Sequence, residues 1–95
     1  MSERENSDAP AAGEVPRDLL EFLAEGLVDA PDKVSVEQFD GEDGTIVLEL
    51  CVAADDYGKV IGRGGRTARA LRTVIGSLAG GRYVRVDLLD VDEVR

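Results

Sequence analysis

The stretch GKVIGRGGRT, Gly58 to Thr67, holds four glycines, one lysine and two arginines and contains no carboxylate. It sits in a chain whose formal net charge is −9. Glycine takes backbone angles that other residues avoid, so glycines at this density end any helix that enters the segment. How the chain folds around it depends on what lies on either side.

On the N-terminal side, Asp55 and Asp56 precede Tyr57, where a short helix begins, and either carboxylate is placed to accept hydrogen bonds from unpaired helix N–H groups. That helix stops before Gly62, Gly64 and Gly65. On the C-terminal side, RTARALRTVIGSLA reads as a second helix running to the Gly80-Gly81 stop. At about 100° per residue, Leu71, Val74, Ile75 and Leu78 cluster on one side of it, with Arg66, Arg69 and Arg72 centred opposite. RYVRVDLL then alternates Val84, Val86 and Leu88 as a strand.

Further upstream, Pro16 suits the first turn of a helix, where its missing N–H costs nothing. The run DLLEFLAEGLVDA spaces Leu19, Leu20, Phe22, Leu23, Leu27 and Val28 mostly by three and four, which predicts one apolar helical face ending before Pro31. KVSVEQF and TIVLELCV alternate around the turn residues GEDG and predict a β-hairpin, with Val34 and Val36 on one face of the first strand and Ile46, Leu48, Leu50 and Val52 on one side of the second. The predicted order is α-β-β-α-loop-α-β, an α+β protein. Residues 1–15 lack hydrophobic periodicity and read as a disordered acidic tail. The folded domain is expected over 16–90, with 91–95 a fraying C-terminal tail.

Ninety-five residues suit one domain, and a chain this short buries only about 60–65% of the surface its unfolded form exposes. With 43% hydrophobic and 33% charged residues the composition is that of a soluble globular protein. Phe22, Phe39, Tyr57 and Tyr83 are the only aromatics, so the core is aliphatic. No run approaches the roughly 18 apolar residues of a membrane span, and the acidic start is unlike a signal peptide, so a cytoplasmic location is expected. There is no histidine, and Cys51 is the single cysteine, in an apolar strand where packing is its expected role. Intrachain disulfides, Cys/His zinc sites and His-dependent nucleophiles are thereby excluded. No metal and no cofactor is expected, and the chain does not read as an enzyme.

Charge is distributed unevenly. Residues 57–86 carry seven basic and no acidic groups, whereas 17–56 carry two basic and twelve acidic ones. Such a local field attracts an anion even where the molecule as a whole repels it. A glycine turn between two helices also exposes the N-terminus of the second, with unpaired N–H groups and partial positive charge suited to phosphate. The alternative is a plain bend. Nucleotide loops do not fit: the P-loop needs Gly-Lys followed by Ser or Thr, but Val60 follows Gly58-Lys59. A dinucleotide fingerprint would need a third glycine where Thr67 stands, and a strand in place of the helical turn before it.

What remains is G-x-x-G, Gly62-Arg63-Gly64-Gly65, preceded by Val60-Ile61 and joining two helices. In that setting VIGRGG resembles the KH domain, whose G-x-x-G loop clamps the backbone of about four nucleotides of single-stranded RNA. The element order is similar to the bacterial type II arrangement. LVDAPDKVSV, GKVIGRGGRTARALRTVI and VRVDLLD together resemble the small single-domain bacterial KH proteins of the KhpA family, over roughly Leu19 to Asp90. The resemblance implies a single type II KH domain, α-β-β-α-α-β, with a three-stranded sheet and helices packed on one face. It implies a non-catalytic RNA-binding protein, an RNA chaperone or post-transcriptional regulator, with single-stranded RNA as partner. It also implies self-association as a homodimer, or a heterodimer with a larger KhpB-like KH protein. A second reading makes the chain a protein-interaction subunit whose larger KhpB-like partner supplies most of the RNA affinity.

Carried onto this sequence, Gly62 and Gly65 fill the two glycine positions, and Arg63 and Gly64 the variable pair. Family loops often carry a polar or basic side chain in that pair, and Gly64 supplies none. Lys59 precedes the loop and Arg66 follows it as flanking cations. Ile61 is expected either as an apolar groove wall or as helix packing beneath the loop. Arg69 is a candidate on the next helical turn, and Arg72 the weakest of the arginines.

Overall fold

A computed structural model describes residues 14–93. Most of the expected acidic tail (1–13) and the last two residues lie outside the described residues. Helix α1 spans Glu14–Leu27, with Pro16 in its first turn as the sequence predicts. A short 3-10 turn at Pro31–Lys33 leads into β1 (Ser35–Asp40), which pairs antiparallel with β2 (Ile46–Val52). Helix α2 (Tyr57–Ile61), a 3-10 turn at Arg63–Gly65 and helix α3 (Arg66–Ser77) form the crossover to β3 (Val84–Asp90). Strand β3 lies parallel to β2, so the sheet order is β1-β2-β3 with β2 in the centre. The result is α+β, three helices and a mixed three-stranded sheet, as the sequence leads one to expect.

Strand β2 shows the period of two most clearly. Ile46, Leu48, Leu50 and Val52 are all essentially inaccessible, and the residues between them are half-exposed. The buried side meets Leu20 and Ala24 from α1, Val60 from α2, and Leu71 and Ile75 from α3. The core is aliphatic, with Tyr57 packed at its margin. Both edge strands are tied to a helix by an arginine. Arg17 Nε donates to the Val36 carbonyl at 3.1 Å on β1. Arg72 Nε and Nη2 make longer contacts, 3.4 and 3.3 Å, to the Val86 carbonyl on β3. Each occupies a backbone group that would otherwise invite another strand.

The sequence overstates two apolar faces. Phe22, expected on the buried face of α1, is 70% exposed. It follows Leu20 by two residues, about 200° around the helix, and so points away from the sheet. Val74 and Leu78 are also partly exposed, Val74 because the buried axis of α3 runs through Ala68, Leu71 and Ile75 and leaves it on the flank, and Leu78 because it lies past the last helical residue, Ser77. That flank borders an apolar cleft of about 250 Å³ between α1 and α3, lined by Leu23, Leu27 and Val74 among others.

The acidic pair before α2 also behaves differently from its reading as a helix cap. Asp56 makes no side-chain capping hydrogen bond to the backbone of its own helix. The residue is 1% exposed, and its carboxylate accepts the Asp29 N–H at 3.1 Å and the Ala30 N–H at 3.0 Å. It therefore closes the chain leaving α1, where two backbone donors would otherwise go unpaired, and fixes α1 against α2.

Candidate nucleic-acid interface

The three glycines of the loop all have positive φ: 76° at Gly62, 62° at Gly64 and 78° at Gly65. Gly64 and Gly65 are left-handed, with ψ of 19° and 14°. Gly62, at ψ 167°, lies in a region open essentially to glycine alone. Gly62 N–H closes α2 onto the Gly58 carbonyl at 2.9 Å, and Gly65 N–H returns to the Gly62 carbonyl at 3.0 Å. Between them, the N–H groups of Arg63 and Gly64 meet no backbone carbonyl among the described residues. Arg63 and Gly64 are exposed, so two consecutive donors stand at the surface beside the N-terminus of α3.

The four cations singled out in the sequence divide into two kinds. Lys59 is held by acids, its Nζ 3.2 Å from Asp29 and 3.7 Å from Asp56. The hydrogen bond and charge of Asp29 raise the pKa of that ammonium above its ordinary value. Arg69 turns back on the loop, its Nη2 donating to the Gly64 carbonyl at 2.8 Å. This bond braces the turn from the first exposed face of α3. The side chains of Arg63 and Arg66, by contrast, make no hydrogen bond or ion pair with the described residues. They are exposed and flank the free amides. Ile61 is half-buried at the end of α2.

Two residues that the sequence did not single out complete this surface. Arg69 and Arg72 line one side of a groove of about 380 Å³ between α3 and the start of β3, and Arg82 and Tyr83 line the other. Arg82 is anchored by Nε to the Gly44 carbonyl at 2.9 Å and by Nη2 to Asp40 at 3.6 Å. The run of seven basic residues without an acid between 57 and 86 was the available signal, but nothing local shows that Arg82 faces the helix carrying Arg69.

Negative charge collects elsewhere. Glu37, Glu49 and Asp87 stand side by side across the three strands. They alternate with the buried residues and so occupy the face of the sheet turned away from the helices. Like charges in adjacent strands disfavour one another, and Arg85 relieves the row through a 3.1 Å pair with Asp87. The strand period thus keeps this acidic row on the opposite side of the sheet from the glycine loop.

A helix and strand leading into a β-α-α-β unit, with a G-x-x-G turn between its two helices, define a KH domain of the type II order. Residues 17–88 match the family described as KhpA/KhpB, KH domain, and the chain belongs to that family. It is 62% identical over 76 residues to the RNA-binding protein KhpA of Streptomyces coelicolor, covering 80% of this chain and 94% of that one. It is 51% identical over 76 residues to the RNA-binding protein KhpA of Mycobacterium tuberculosis, covering 80% and 92%. To the RNA-binding protein KhpA of Borreliella burgdorferi it is 47% identical over 75 residues, covering 77% and 90%. No solved structure gives a significant match.

Proposed function

We propose that this chain binds single-stranded RNA without catalysis, gripping the sugar-phosphate backbone with the Gly62–Gly65 loop. The observation that carries this reading is the pair of exposed Arg63 and Gly64 amides, which lack carbonyl partners among the described residues and are flanked by the unengaged guanidinium groups of Arg63 and Arg66. Two adjacent N–H donors and two cations match the oxygens and charge of a phosphate. Lys59 and Arg69 form an outer set: Arg69 holds the loop, and Lys59 reaches a phosphate by exchanging Asp29 for it. Ile61 forms the apolar shoulder of the site. The names of the relatives agree with RNA as the ligand. The cellular role we infer is that of a cytoplasmic RNA chaperone or post-transcriptional regulator. Among the described residues no helix is long and apolar enough to cross a membrane.

The test is binding of a dye-labelled single-stranded RNA by the wild type and by the double variant Arg63→Asp/Gly64→Asp. Aspartate tolerates the left-handed backbone of Gly64, so the variant retains its fold while two carboxylates enter the phosphate site. Binding is expected to disappear with the circular dichroism spectrum unchanged. Equal binding by the two proteins overturns the reading.

The apolar cleft between α1 and α3, with Leu27 and Val74 partly exposed along it, favours a second reading in which the chain is also an interaction subunit, as a homodimer or with a larger KhpB-like KH protein. Pull-down from cells with and without RNase separates the two, since a protein partner survives digestion.

A further inference from the structure

The helices cover one face of the sheet, and among the described residues nothing covers the other. Val47, Glu49 and Cys51 belong to the central strand, with a neighbour on each side, yet all three stay half-exposed. Phe39, opposite Val47 on β1, is 48% exposed. Leu89, opposite Cys51 on β3, is also only partly buried. The outer face thus carries one apolar row, Phe39 and Val47, and a second, Cys51 and Leu89, with the acidic row of Glu37, Glu49 and Asp87 between them. Neighbouring apolar side chains left uncovered beside charge mark an interaction surface.

Charge and size decide what fits there. The side chains of Glu37 and Glu49 make no hydrogen bond or ion pair with the described residues, and only Asp87 is answered, by Arg85. Carboxylates opposed in adjacent strands cost the fold stability, a local conflict expected where a surface serves binding. The row repels nucleic acid, and a second copy centred face to face on it would set carboxylate against carboxylate. A cationic partner removes the conflict. Three strands about 4.8 Å apart and three rows about 6.8 Å apart give roughly 300 Å², well below the roughly 800 Å² that each partner contributes to a standard interface between folded proteins. One segment fits. On a helix, residues at i, i+4 and i+7 lie about 5–6 Å apart, close to the strand spacing, so a stripe of three cations meets the three carboxylates in turn.

We propose that the outer face of the sheet docks a basic amphipathic helix of a partner protein, its Lys or Arg stripe over Glu37, Glu49 and Asp87 and its apolar flanks on Phe39, Val47 and Leu89. This surface lies on the opposite side of the sheet from the glycine loop, so the proposal does not depend on how the loop is read.

The experiment follows the amide NMR spectrum of the isotope-labelled protein on titration with a synthetic helical peptide carrying lysines at i, i+4 and i+7 flanked by leucines. A control peptide has glutamates in place of the lysines. The lysine peptide is expected to shift the amides of Val47, Glu49 and Asp87 and leave those of Gly62–Gly65 unmoved, and the glutamate peptide to shift none. Glu37→Gln/Glu49→Gln is expected to weaken binding roughly tenfold, the loss of two surface-strength ion pairs, while melting at a higher temperature as the like-charge contact is removed. Phe39→Ala is expected to weaken it roughly fivefold, which charge attraction alone does not predict. Glu25→Gln/Asp32→Asn removes the same charge from exposed positions elsewhere and is expected to stay within about twofold of wild type. Shifts centred away from the sheet, equal losses from the two double variants, unchanged binding by Phe39→Ala, or a lysine peptide that does not bind each overturn the proposal. Outer-face shifts that appear with protein concentration alone assign the surface to a second copy, and shifts produced there by single-stranded RNA assign it to nucleic acid. Either result overturns the basic helix as its occupant.

Discussion

Gly62 and Thr67 approach so closely across the loop that no side chain fits between them. A Cβ on Gly62 would lie 2.7 Å from the Thr67 Cβ and 2.8 Å from its amide nitrogen. Thr67 cannot withdraw, because its backbone belongs to the first turn of α3. Gly62 is therefore required twice over, by its backbone angles and by the space it leaves, and the close contact sets how α2 turns into α3.

Gly62→Ala is accordingly expected to destabilise the protein by about 2–4 kcal/mol, from backbone strain plus overpacking. Gly64, also at positive φ but with nothing within 4 Å of its missing Cβ, provides the contrast. Gly64→Asn is expected to stay within about 1 kcal/mol of wild type, since asparagine accepts the left-handed region. Urea denaturation of the two variants checks this, and equal losses would contradict the geometry.

The buried carboxylate of Asp56 serves two backbone donors 26 and 27 residues away in sequence. Asp56→Ala leaves both N–H groups without their acceptor and removes one partner of Lys59, with an expected loss of about 2–4 kcal/mol. The amides of Asp29 and Ala30 should lose their hydrogen-exchange protection in the same variant.

Lys59 is shared between Asp29 and RNA under the reading proposed above. Asp29 is exposed, so Asp29→Asn should leave stability nearly unchanged, as usual for surface ion pairs. It should raise RNA affinity several-fold at low salt by freeing the ammonium. In a double-mutant cycle, Lys59→Ala should then reduce binding more in the Asp29→Asn background than in wild type.

A phosphate grip of two to four cations has a defined salt signature. Log affinity against log salt should fall with a slope of about −1.5 to −3 for a single strand, and Arg66→Ala should reduce that slope by roughly 0.7. A slope near zero would mean that the complex is not held by phosphates.

The hairpin turn offers a pH prediction. The hydrogen bonds of Thr45 to Asp43 lower the pKa of that carboxyl below its ordinary value near 3.8, and the Thr45 N–H lies 3.0 Å from its oxygen. A lowered value in the folded state means that the contact stabilises the turn above pH 3.8 and is lost as pH falls through the lower folded value. The Thr45 amide resonance should titrate with a midpoint below 3.8, and Asp43→Asn should abolish that titration.

Much of this protein is written locally. The alternation in Ile46–Val52, the apolar spacing of α3 and the glycines between two helices are short-range signals, and they are sufficient for the element order and for the position of the loop. They fail at Phe22, which has the right residue type but the wrong helical angle, and at Asp56, which has the right chemistry but a distant acceptor role. Which cations are engaged, what Asp56 closes, and the meeting of Arg82 and Tyr83 with Arg69 depend on contacts between segments such as Arg82 and Gly44, 38 residues apart. Composition therefore determined that this chain carries a cationic glycine loop in an acidic domain. Only the packed sheet and helices decided that Arg63 and Arg66 remain unengaged while Lys59 and Arg69 are tied, because partner choice depends on distance in space, which sequence spacing does not encode.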